Sequence, residues 1–79
     1  MFVYILFSDK SSRYYVGQTA DIEKRLKKHN LGSVPSTKYG IPWSLVLQIE
    51  VSYRSEALVL EKKVKKRGAK RYIDNQFGV

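Results

Sequence analysis

The sequence predicts one small α+β domain, with elements in the order ββαβα(α) and helices laid against the faces of a small sheet. Three observations predict it. Two aromatic, β-rich runs, "FVYILF" and "YYVG", flank a polar turn and read as a hairpin. A third run, "SLVLQIEV", alternates as a strand does. Two segments with helical spacing, each preceded by a capping residue, follow the second and third strands.

In chain order, residues 2–7 form the first strand and residues 8–13 ("SDKSSR") the turn. The second strand, from Tyr14, pairs with the first as an antiparallel neighbour. Thr19 or Asp21 caps a helix that runs to about Asn30, with Asp21 and Glu23 at its positive end and Lys27 and Lys28 toward its negative end. "LGSVPSTKYGIPW" reads as a loop because it is rich in Gly, Pro and Ser. Residues 44–51 make the third strand. Ser55 caps a second helix, Gly68 ends it, and "AKRYIDNQF" adds a short third one.

Seventy-nine residues allow one compact core, here taken as a single domain over residues 1–79. With no cysteine, a disulfide framework and a thiolate metal site are both excluded, which leaves His29 and carboxylates as metal ligands. The apolar N-terminal run stops at Ser8, far short of the roughly 20 residues that span a bilayer, and no basic leader precedes it, so a cytoplasmic protein is expected. Fifteen Lys and Arg against seven Asp and Glu give a net charge of +8, which favours a polyanionic partner, nucleic acid first and an anionic membrane surface second.

Charge also falls where a core should be. At about 100° per residue, Ile22, Arg25, Leu26 and His29 share one side of the first helix, while Lys24, Lys27 and Lys28 share the other. Arg25 and His29 therefore flank the face that packs on the sheet, at its border. Structural roles would be an arginine that snorkels from the packed face and a histidine that favours the helix C-terminal dipole. On the second helix, Ala57, Leu60, Glu61, Val64 and Gly68 share a stripe with Leu58 on its flank. A carboxylate inside that stripe needs compensation, either an ion pair to Lys65 or Arg25 or a metal ion. Tyr4 and Tyr15, each in a strand, place their hydroxyls on the same sheet face in the expected hairpin register. Each tyrosine alone reads as core with a wet tip.

Taken together, two phenols, a guanidinium, an imidazole and a carboxylate at sheet-facing positions suit phosphodiester hydrolysis. That chemistry needs a base for the attacking water, a cation beside the phosphate, and usually a divalent metal to offset charge on the leaving oxygen.

The chain resembles the GIY-YIG nuclease family. The two strand motifs read "FVY" (Phe2, Val3, Tyr4) and "YVG" (Tyr15, Val16, Gly17). Arg25 and His29 in "RLKKHN" match the family's first-helix arginine and histidine, and Glu61 in "ALVLEKKVKK" matches its metal-binding glutamate. The nearest likeness is to short, stand-alone bacterial members. The resemblance implies an α+β fold built on a small three-stranded antiparallel sheet flanked by helices. It implies a DNA endonuclease in which Tyr4, or else Tyr15, helps deprotonate the water while the other tyrosine orients water or phosphate. Arg25 would hold the scissile phosphate, His29 would assist proton transfer, and Glu61 would bind one Mg²⁺ or Mn²⁺ ion. Gly17 would keep the turn into the helix free of a side chain. Phe2 stands where the family name has glycine, and Asn75 aligns only loosely with a C-terminal asparagine of some members. The family's active members usually attach the domain to separate DNA-binding modules, so the resemblance leaves three forms open: a weak nuclease, a subunit that borrows specificity from a protein partner, or a domain that kept the fold and lost the activity.

Two further readings use the same charge. A non-catalytic nucleic-acid-binding module would stack bases on aromatic strands, but no RNP1 pattern follows "FVYILF" and Glu61 is left unexplained. A basic adaptor for an acidic protein would need an anchor patch, and the sequence offers none.

Overall fold

The computed structural model describes residues 1–76. Its elements are β1 (Phe2–Ser8), β2 (Arg13–Thr19), α1 (Ile22–Asn30), a 3₁₀ helix (Pro35–Gly40), β3 (Ser44–Glu50), α2 (Arg54–Arg67) and α3 (Ala69–Gln76). The three strands form one antiparallel sheet in the order β2-β1-β3, the fold the sequence predicts. No helix among the described residues is long and apolar enough to cross a membrane.

Strand β1 is central, and its continuous apolar run follows from being covered on both sides. Successive side chains of a strand point to opposite faces. Val3 and Ile5 therefore join Val16, Ala57, Val64 and Tyr72 in a core under α2 and α3. Tyr4 and Leu6 go the other way and join Trp43, with Tyr15, Ile22, Leu26 and Ile41 packed around them, under α1. Burying each such large side chain contributes about 1.5–3 kcal/mol, so β1 anchors two cores at once. The β1–β3 register shifts between Ile5, opposite Leu47, and Leu6, opposite Leu45, which leaves Val46 as the extra residue of a bulge.

Helix α1 is capped as expected, the Asp21 carboxylate accepting from the Lys24 amide at 3.1 Å. Ser55 does not cap α2. The Tyr53 carbonyl accepts the first helical bond, from the Ala57 amide at 3.1 Å, from an extended backbone and with no side-chain cap, so Ser55 lies within the first turn. Gly68 ends α2 at φ 96°, a conformation costly for any residue with a Cβ, and its amide donates to the Val64 carbonyl at 2.9 Å. Of the expected third helix, Phe77 lies outside the described residues.

The segment expected as a plain loop carries the 3₁₀ helix, which begins at Pro35, where a missing N–H costs nothing. Two side chains lock it down. The Trp43 indole lies over Gly40, where an added Cβ would collide with the ring, and its Nε1 donates to the Thr37 carbonyl at 2.7 Å. Asn30, the last residue of α1, accepts from the Trp43 amide at 2.6 Å and donates to the Trp43 carbonyl at 3.0 Å. The segment is thereby clamped across the end of α1.

Candidate active site

The site is built on Tyr4, opposite Gly17 in the β1–β2 ladder. The phenol end of the Tyr4 ring lies over that glycine. A Cβ there would meet the phenol oxygen at 2.6 Å and Cζ at 2.7 Å. Gly17 therefore sits within β2 rather than at the turn into α1, and its missing side chain is the space that Tyr4 fills.

The Tyr4 hydroxyl lies 2.9 Å from His29 Nε2. On the other side of the ring, His29 Nδ1 lies 2.8 Å from Thr37 Oγ1, and the Thr37 hydroxyl donates to the Val34 carbonyl at 3.3 Å. A threonine hydroxyl has one proton. With that proton on Val34, Thr37 Oγ1 is an acceptor for Nδ1–H, and in this arrangement Nε2 is unprotonated and faces the Tyr4 O–H. Burial, with the Arg25 charge adding to it, pulls the His29 pKa below its usual value and favours this neutral form. His29 is wholly enclosed, not at the border of the packed face as its helix position suggests, because the 3₁₀ helix folds over it.

Arg25 closes the chain from the opposite side, its Nε donating to the Tyr4 oxygen at 3.4 Å. That hydrogen bond, opposed by burial, raises the pKa of Arg25 and keeps it cationic. Burial pushes the Tyr4 phenol above its usual value, with Arg25 pulling the other way. Tyr15 completes the group, its ring centroid 6.2 Å from that of Tyr4 and 4.9 Å from that of His29. Arg25 also borders a small polar concavity with Thr19, Asp21, Lys24 and Lys28. Four of the five candidate residues thus meet on one face of the sheet, with Tyr4 and His29 beneath its surface.

Glu61 comes from the other layer. Helix α2 packs chiefly on β2, an edge strand, and Tyr4 lies across the opposite face of that strand at Gly17. The carboxylate is near enough for its charge to push the Tyr4 pKa up, as the smallest of the contributions there. Its only ion-pair partner among the described residues is Lys65, Nζ to Oε2 at 2.9 Å, with the Glu61 side chain 17% exposed and that of Lys65 55%. Of the two ion-pair partners the sequence left open for Glu61, the structure selects Lys65. The Asn75 side-chain amide lies against the Arg67 guanidinium, and with its oxygen assigned to that side it accepts from Arg67 and ties α3 to the end of α2.

Residues 1–73 match the GIY-YIG catalytic domain. The chain belongs to that family. It is a nuclease-family domain, and its substrate class is nucleic acid. No curated protein and no solved structure matches it.

GIY-YIG nucleases generally depend on a divalent metal. No group of three or more His, Cys, Asp or Glu side chains among the described residues could enclose an ion. Mg²⁺ does not need such an enclosure, since it keeps several waters and binds through one or two carboxylates plus substrate phosphate. The single, partly exposed Glu61 carboxylate fits that pattern once Lys65 lets go of it.

Thr37 and Asn30 escaped the sequence reading. Thr37 sets the proton arrangement on His29, and Asn30 holds the segment that carries Thr37. The only available signal was the length of the segment between α1 and β3, since structureless loops of that size are uncommon inside small domains.

Proposed function

We propose that this GIY-YIG domain is a metal-dependent endonuclease that hydrolyses phosphodiester bonds in DNA. One observation carries the proposal: a single phenol, Tyr4, has the imidazole Nε2 of His29 at 2.9 Å on one side and the Arg25 guanidinium at 3.4 Å on the other. With its pKa raised, Tyr4 is a phenol and not a phenolate near neutral pH, so it is a poor base alone. Paired with His29 it can take a proton from an attacking water while its own proton moves to His29 Nε2. Thr37 accepts from His29 Nδ1–H before and after that transfer, so Nε2 is the nitrogen that takes up the proton.

Arg25 binds the scissile phosphate and offsets charge that builds on its oxygens. Tyr15 orients the water or the phosphate. A divalent ion on Glu61 would supply Lewis-acid stabilisation of the leaving oxygen. The closer likeness, to short stand-alone bacterial members, rests on the sequence resemblance, and so does a protein partner supplying specificity.

The test is incubation of the purified protein with supercoiled plasmid and with branched DNA, with and without Mg²⁺ or Mn²⁺. Metal-dependent nicking supports the proposal. Binding without cleavage under every condition would favour the non-catalytic binding module.

A further inference from the structure

A second feature lies along the outer edge of β2. A cavity of about 820 Å³ opens between that strand and the α2–α3 corner, with Tyr14 and Tyr15 on one side and Lys65, Arg67, Lys70, Arg71 and Asp74 on the other. Four cations face one carboxylate. Lys70 and Arg71 are exposed, and neither forms an ion pair among the described residues.

The cavity adjoins the candidate active site at two points. Tyr15 lines it and also packs on Tyr4 and His29. Lys65 lines it and holds Glu61.

A concavity that sets lysine and arginine beside Tyr14 has the chemistry that single-stranded nucleic acids meet on proteins: cations along the phosphates and an aromatic residue beside an unstacked base. It is too small to admit a duplex, whose bases are paired and stacked out of reach of Tyr14. We infer that this cavity binds an unpaired nucleic-acid strand and leads it to the scissile phosphate at Tyr4 and Arg25. The inference rests on the nuclease reading for what happens to the strand, but not for its binding.

The test is fluorescence anisotropy with a short labelled oligothymidylate, without divalent metal, over a range of salt concentrations. The double variant Lys70→Ala/Arg71→Ala is compared with Lys62→Ala/Lys66→Ala, which removes equal charge from exposed positions of α2 that do not line the cavity. The first variant should weaken binding about tenfold or more at low salt and flatten the salt dependence by about 1.4 in log–log slope, two phosphate contacts at about 0.7 each on a single strand. The second should bind nearly as wild type does, and unlabelled single strand should compete better than duplex. Melting temperatures confirm that both variants are folded.

Equal weakening by the two variants, or a duplex that competes better, would overturn the inference, since binding would then follow net charge or a different surface. Neither result bears on cleavage. A wild type that binds as expected and cuts nothing would instead support the cavity assignment while removing the nuclease reading.

Discussion

The Tyr4 hydroxyl and His29 Nε2 lie 2.9 Å apart in an enclosed contact, Tyr4 being 2% exposed and His29 fully buried. Buried polar groups are held this way only when each has a partner. Here the partners run in series, from Arg25 through Tyr4 and His29 to Thr37 and the Val34 carbonyl. A structural network would need only satisfied bonds. A proton relay needs them pointed in one direction, and the single Thr37 proton sets that direction.

Thr37→Val keeps the shape of the side chain and removes the acceptor for His29 Nδ1–H. A buried donor left unsatisfied costs about 1–3 kcal/mol, so the melting temperature should fall. Metal-dependent cleavage should fall further than stability explains, with an altered pH profile, because the imidazole is free to turn its proton toward Tyr4. A variant that loses stability but keeps the wild-type rate and pH profile would show that Thr37 serves packing alone.

Gly17→Ala tests the close approach of Tyr4. The new methyl must displace the phenol from its place over β2, and overpacking of this kind costs about 1–3 kcal/mol. The Tyr4–His29 hydrogen bond should be lost, visible as a changed His29 Nε2 resonance. An unshifted melt with an unchanged imidazole spectrum would contradict the geometry.

The His29 pKa is lowered in the fold, so between the folded value and the ordinary value near 6.5 the unfolded chain binds more protons. Stability contributed by neutral His29 is therefore present above about pH 6.5 and is lost as pH falls through the folded pKa. Thermal melts from pH 8 downward should decline on the acid side of about 6.5, and His29→Gln should remove that part of the decline. A wild-type curve that stays flat until carboxylates titrate would contradict a buried neutral imidazole.

Glu61→Gln separates two roles. Lys65 is more than half exposed, so breaking this pair should cost no more than about 1 kcal/mol. The variant should melt close to wild type and lose metal-dependent cleavage. A variant that cleaves normally would remove Glu61 from metal binding.

The three strands and three α-helices were legible because each carries an apolar run or period with its own stop signals, from "FVYILF" in β1 to Gly68 after α2. The shared face of Tyr4 and Tyr15 was legible from hairpin register. The burial of His29 was not, because it depends on a segment without periodicity that Asn30 and Trp43 pin over it. Nor was the partial exposure of Glu61. Helical periodicity places it in the inner stripe, but α2 lies chiefly on an edge strand, so part of that stripe overhangs the sheet. Gly17 was read as a turn residue because sequence shows what a glycine allows in its own backbone, not which neighbour fills the space.

The most direct measurement compares plasmid nicking by wild type and Tyr4→Phe in Mg²⁺ or Mn²⁺, with DNA affinity and melting temperature measured on the same samples. The ring remains to cover Gly17 and only the hydroxyl between His29 and Arg25 is removed. Wild type should nick, and the variant should nick about 10²–10⁴-fold more slowly at unchanged affinity, the range ascribed to a positioned acid–base group. Equal rates for the two proteins, or no metal-dependent nicking by wild type, would contradict a proton relay through Tyr4 and His29.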